Sequence, residues 1–190
     1  NIQASLLKQQ AVWRIKDSDF FLGGNYQFAK TNVKAFEGIN IPDVDPLDFN
    51  MIASGLTAIA EYENLNGLLS PTKGVMVHAE YLQNFKLIGS DRNYGIFLLY
   101  GYGYIPVNKT WVPAIRIETQ FATGSSPFYA LPFLKMRGLP VMRYQGNYTV
   151  LVETEHLFNL TSRWSIVGFT GAGLTFKSID QLNSDNQFAW

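Results

Sequence analysis

The sequence predicts an all-β protein, an antiparallel transmembrane β-barrel of the outer-membrane type. Three observations lead there. Apolar and polar residues alternate with period two along most of the chain, and helical periodicity is nearly absent. Most of the alternating runs reach ten residues or more, whereas soluble strands average roughly five to six and membrane-spanning strands need about 9–11. Finally, charged residues are 16% and aromatic residues 15%, with a mean hydropathy of −0.02. Lipid-facing and lumen-facing residues cancel in this way when they alternate along a barrel strand. A soluble sheet with one wet face is the commoner source of alternation and remains the rival.

Nine strands are expected, at roughly 3–15, 18–31, 49–62, 74–84, 91–105, 111–122, 146–157, 163–176 and a start at 186–190. In the second, Phe20, Leu22, Tyr26 and Phe28 share one face, and Phe21, Gly23, Asn25 and Gln27 the other. The fourth sets Val75, Val77, Ala79 and Tyr81 against Met76, His78, Glu80 and Leu82. In the fifth, Tyr94 to Tyr104 in steps of two oppose Gly95, Phe97, Leu99, Gly101 and Gly103. The sixth is the most telling. Trp111, Ile115, Ile117 and Phe121 form an apolar face with an aromatic at each end, like the two interfacial girdles of a barrel. Its other face holds Arg116, Glu118 and Gln120, which a barrel would turn toward the lumen.

Short connections ("KDS" at 16–18, "PVNKT" at 106–110, "NLTS" at 159–162) contrast with long ones at 32–48 and 123–145. Barrels carry short turns at one end and long loops at the other. One β-barrel domain over 1–190 is expected, with no repeat or linker.

Several function classes are disfavoured. Lys+Arg and Asp+Glu are both 15, so nothing invites nucleic acid. There is no cysteine, hence no disulfide or thiolate metal site. No run of about 18 apolar residues offers a transmembrane helix. The opening "NIQASLLKQQ" lacks the basic start and apolar core of a secretory leader, so an exported protein would be met here as a mature form or an internal piece. His78 and His156 stand without a nucleophile or phosphate-binding motif, so no enzymatic activity, cofactor or metal is expected. "GFTGAG" has the spacing GxxGxG, not a dinucleotide fingerprint, and no helix follows. Its Gly171 and Gly173 share a face and mark a place where something bulky approaches the strand.

What would approach is suggested by the stretch before it. Glu153 and Glu155 share a face of the seventh strand, and two carboxylates flanked by apolar residues want a cation. Arg137 is the candidate, because guanidinium meets carboxylate through two parallel hydrogen bonds, and Gly138 allows a tight turn behind it. The 123–145 loop would then fold back into the barrel. The plain alternative is an exposed arginine in a flexible loop.

At these residues the chain resembles the bacterial surface antigen family, the C-terminal barrel of the outer-membrane protein assembly factors of the Bam and Tam type. Four stretches carry the resemblance over about residues 49–176: "ENLNGLLSPTKG" (63–74), "MRGLP" (136–140), "VETEHLF" (152–158) and "RWSIVGFTGAG" (163–173). In the family the loop arginine reaches the lumen and pairs with acidic groups on the two following strands. The resemblance carries this to Arg137 with Glu153; the family's second acidic residue falls at Gly171 here. Glu63 and Asn64 likewise stand where Asp and Arg are usual. Family barrels have about 16 strands, so the resemblance implies a partial barrel of about 8–10 strands, missing some at both ends. It further implies a Gram-negative outer-membrane protein inserting or translocating other proteins, with lipid and unfolded outer-membrane proteins as partners. The rival functions are a passive pore, a membrane anchor for an upstream domain, and a soluble β-sandwich binder.

Overall fold

The computed structural model describes residues 2–33, 50–67, 69–178 and 187–189. They form β1 (Ile2–Arg14), β2 (Phe20–Val33), β3 (Asn50–Glu63), β4 (Gly74–Asn84), β5 (Tyr94–Tyr104), β6 (Trp111–Gly124), β7 (Tyr148–Asn159), β8 (Ser165–Phe176) and β9 (Gln187–Ala189). All nine belong to one antiparallel sheet in sequence order, and among the described residues β1 does not pair with β9. The sheet is therefore open, as expected of a partial barrel. Strand ends fall within three residues of those read from the sequence. The largest shift is at β5, where Asp91 and Asn93 use their side chains on the backbone of Ile52 and Lys86 and hold 91–93 out of the strand. The long connection expected at 32–48 lies largely outside the described residues.

The short connections close at one end of the sheet, and polar side chains close them. Asn108 Oδ1 accepts from the backbone of Thr110 and Trp111 at 2.9 and 2.8 Å. Thr161 Oγ1 accepts from Arg163 and Trp164. In the β3–β4 turn Asn64 Oδ1 accepts from Val75, and Asn66 Oδ1 from Thr72 and Lys73. These are the side-chain-to-backbone turns that Asn and Thr favour. They let long strands reverse within a few residues.

Pairing register sorts the side chains onto two faces. The face through Phe20, Leu22, Leu56, Val75, Val77, Leu99, Ile115, Ile117, Val150 and Val152 is apolar. Among the described strands its one Lys, Arg, Asp or Glu is Lys30, near the long-loop end of β2. Leu22, Leu56 and Ile117 are each about half exposed, at 51%, 52% and 50%. An apolar patch of this extent is not left in water by an ordinary monomer.

Aromatics bound that patch at both ends. At the long-loop end Phe97, Phe121, Tyr148 and Phe176 stack across four strands, with centroids 4.7, 6.4 and 5.1 Å apart. At the short-turn end Phe20 meets Tyr62, and Trp111 stacks on His156 and Phe158. Two aromatic belts around an apolar band are the signature of a strand wall crossing a bilayer. No described helix is long and apolar enough to cross a membrane.

The opposite face collects the strand charges: Lys8, Arg14, Glu61, Glu63, Glu80, Arg116, Glu118, Glu153 and Glu155. This inner face carries the buried core. Residues 125–147 fold back over it, with Pro127 and Pro132 fully buried. Ala130 packs on Met51, Ala53 and Tyr94, while Leu134 and Met136 pack on Leu151 with Leu139 and Tyr144 at the margin.

Candidate functional site

The 125–147 loop has its own internal ladder. Phe133 bridges Gln145, Leu134 N donates to Tyr144 O at 3.0 Å, and Gly146 N donates to Pro132 O at 3.1 Å. That narrow finger lowers Leu134 into the space above Gly173. A Cβ on Gly173 would fall 2.8 Å from Leu134 Cδ1. A Cβ on Gly171, two residues back on the same face, would fall 2.7 Å from Glu153 Cγ. Both glycines thus make room, Gly173 for the loop and Gly171 for the carboxylate that holds it.

Beyond Leu134 the chain passes through Lys135, Met136 and Arg137 over β6 and β7. Arg116 on β6 stands directly across the ladder from Glu153 on β7. Its Nη1 donates to Glu153 Oε2 at 2.7 Å and to the loop carbonyl of Lys135 at 3.1 Å, and its Nη2 donates to Glu118. Glu118 in turn accepts from Gln120 Nε2 at 2.7 Å. Glu118, Gln120 and Glu153 are 5%, 6% and 5% exposed. Such burial is tolerable only because each is paired.

Arg137 holds the same strand differently from the sequence expectation. Its guanidinium does not take Glu153. Its backbone N donates to Glu153 Oε1 at 3.3 Å, while Nη1 donates to Glu155 Oε2 at 2.5 Å. The reason is register. Arg116 is the cross-strand neighbour of Glu153 and already occupies Oε2, leaving one oxygen that a backbone amide can reach. The Arg137 side chain runs on to the next carboxylate of that face and lies over the Phe169 ring at 4.9 Å. Gly138 follows with φ +83, a left-handed conformation that favours glycine. Nothing lies within 4 Å of where its Cβ would be, so backbone geometry and not crowding calls for it.

The latch therefore contains two guanidiniums and three carboxylates, leaving one net negative charge (2 − 3) on this patch. Arg116 is the residue whose part in it the sequence did not disclose. Alternation placed it on the polar face, but the long β6–β7 connection fixes no register from sequence, so its partner could not be read. Farther along the inner face, His78 Nδ1 lies 2.8 Å from Glu61 Oε2, and its ring stacks on Tyr100 at 4.9 Å. No metal-binding group of three or more His, Cys, Asp or Glu occurs among the described residues.

No protein-family model matches the sequence. No curated protein matches it either. Among solved structures, the fold is similar to a crystal structure of BamA from Haemophilus ducreyi lacking POTRA domains 1–3, with a TM-score of 0.68 and 16% sequence identity. The likeness covers 97% of this chain and 45% of that one, so the chain spans less than half the length of the protein it matches. At this identity the likeness establishes a BamA-like barrel fold.

Proposed function

We propose that this chain is part of an outer-membrane β-barrel of the surface antigen family, acting without enzymatic chemistry in the insertion or translocation of outer-membrane proteins. The observation that carries the reading is the loop latch within a wall of this fold. An exposed apolar face lies between two aromatic belts, and behind it a loop with the sequence MRGLP is held by carboxylates of the next strand. The likeness to the BamA barrel supports the fold side of this reading. The four family-like stretches supply its functional side. The partners would be lipid at the outer face and unfolded outer-membrane proteins.

A second reading, a passive barrel or a membrane anchor, is favoured by Gly171. The family's second acidic residue would stand there, and Glu153 Cγ now fills the space its side chain would need.

The experiment is depletion of the full-length protein, with quantification of other barrels in the outer membrane. A general fall in folded, heat-modifiable barrels is expected for an insertion factor. Unchanged barrel levels, with the protein itself heat-modifiable in the outer membrane, would support the passive reading instead.

A further inference from the structure

The lipid-side face carries a groove. Gly101 and Gly103 lie on that face of β5, paired with Val77 and Val75 of β4 and with Ile117 and Ile115 of β6. Two missing side chains in a row leave a channel along β5 between a wall of valines and a wall of isoleucines, with Leu99 and Ile105 at its ends. Its lining is almost wholly carbon. Elsewhere on this face Gly95 is covered, with Tyr81 Oη 2.6 Å from a built Cβ, and Gly24 lies against the Thr57 carbonyl, while Gly168 on β8 is open but stands alone. Gly103 is open by contrast, since a Cβ there meets nothing closer than Ile115 Cγ2 at 3.5 Å.

The groove lies at the short-turn end, where Trp111 and Phe158 mark the level of the lipid headgroups. Two lysines stand at that end. Lys73 directly precedes Gly74 at the start of β4, and Lys109 is in the β5–β6 turn. Both are exposed, and neither has an ion-pair partner among the described residues. An apolar channel at the level of an aromatic belt, with two unpaired lysines in the turns at that end, is complementary to an anionic lipid.

We propose that this groove is a binding site for an anionic phospholipid of the periplasmic leaflet. One acyl chain would lie over Gly101 and Gly103, and the phosphate would sit at Lys73 and Lys109. The periplasmic assignment follows from the short turns, which barrels place on that side. The proposal rests on the outer-membrane reading given above.

The test is native mass spectrometry of the full-length protein, released from nanodiscs of phosphatidylethanolamine and phosphatidylglycerol in equal amounts. Wild type is expected to retain phosphatidylglycerol over phosphatidylethanolamine by about tenfold, as two lysines near a phosphate can supply. Gly103→Leu, which fills the channel without touching backbone, should abolish the retained lipid. Lys73→Gln with Lys109→Gln should keep a bound lipid but remove the headgroup preference. Heat-modifiable mobility of each variant confirms an intact barrel. A heat-modifiable barrel in which Gly103→Leu retains as much phosphatidylglycerol as wild type overturns the site and leaves the outer-membrane reading standing. So does equal retention of the two phospholipids by wild type. A product that folds in water without detergent overturns both.

Discussion

Gly171 lies directly across the β7–β8 ladder from Glu153, and a Cβ at Gly171 would fall only 2.7 Å from Glu153 Cγ. The contact decides how the loop is held. Glu153 must lean over bare backbone to present one oxygen to Arg116 and the other to the Arg137 amide.

Gly171→Ala is therefore expected to dislodge the Glu153 side chain and loosen the loop. The cost should be that of overpacking a close contact, about 1–3 kcal/mol. Limited proteolysis across 125–147 in the full-length barrel would report it. Cleavage at the wild-type rate would show that Glu153 can hold the loop from another rotamer.

Arg116→Ala should be the most damaging change at the latch. It strands Glu118 and Glu153, both about one-twentieth exposed, without their cation. Removing one partner of a buried pair costs about 3–5 kcal/mol. The temperature at which the folded gel band converts to the unfolded one should fall well below wild type. Arg116→Lys should lie between, since one ammonium nitrogen keeps the charge but cannot stand at the positions of both Nη1, which serves Glu153 and the Lys135 carbonyl, and Nη2, which serves Glu118.

Arg137→Ala should matter less than the arginine-glycine motif suggests. Its side chain is 48% exposed and its carboxylate partner 32%, so this pair behaves as a surface one, worth about 0.2–1 kcal/mol. Its amide contact with Glu153 survives the substitution. Loop cleavage should rise only slightly in Arg137→Ala and strongly in Glu153→Ala. Equal effects would show that the guanidinium carries the latch.

Ile117→Arg probes the wall. On a lipid-facing strand a charge in the apolar band costs about 2–4 kcal/mol near the midplane. Folded barrel in the outer membrane should drop sharply. If Ile117 faced water, the substitution would be neutral or would improve solubility.

The extent to which the sequence disclosed this molecule differs between wall and latch. The wall was legible because period-two alternation is a local property. Ile115 and Ile117 against Arg116 and Glu118 fix which side faces which medium, whatever the neighbouring strand does. The turns were legible too, since Asn108 and Thr161 act within three residues of themselves. The space at Gly171 and Gly173 followed from glycine on one face of a strand. Which arginine meets which glutamate was different. It depends on how β6 and β7 slide past each other across a 23-residue connection (125 to 147), and alternation carries no information about that offset. Arg137 stood out because a glycine followed it in a loop. Arg116, inside a regular strand, had no such mark.

The polar contacts that Glu153 and Glu155 make with Arg116 and Arg137 all lie within β6, β7 and the segment between them, with separations of 37, 16 and 18 residues. None of these needs another strand, whereas Leu134 over Gly173 and Ala130 on Met51 and Tyr94 pack only once the neighbouring strands join. The polar latch can therefore form as soon as the β6–β7 hairpin zips, while the sheet is still a ribbon. A sheet that curls shut afterwards carries the finger inward with it, and no step is needed in which a finished cylinder must be threaded. The obstruction is laid down together with the wall, like a seam sewn flat before the garment is closed.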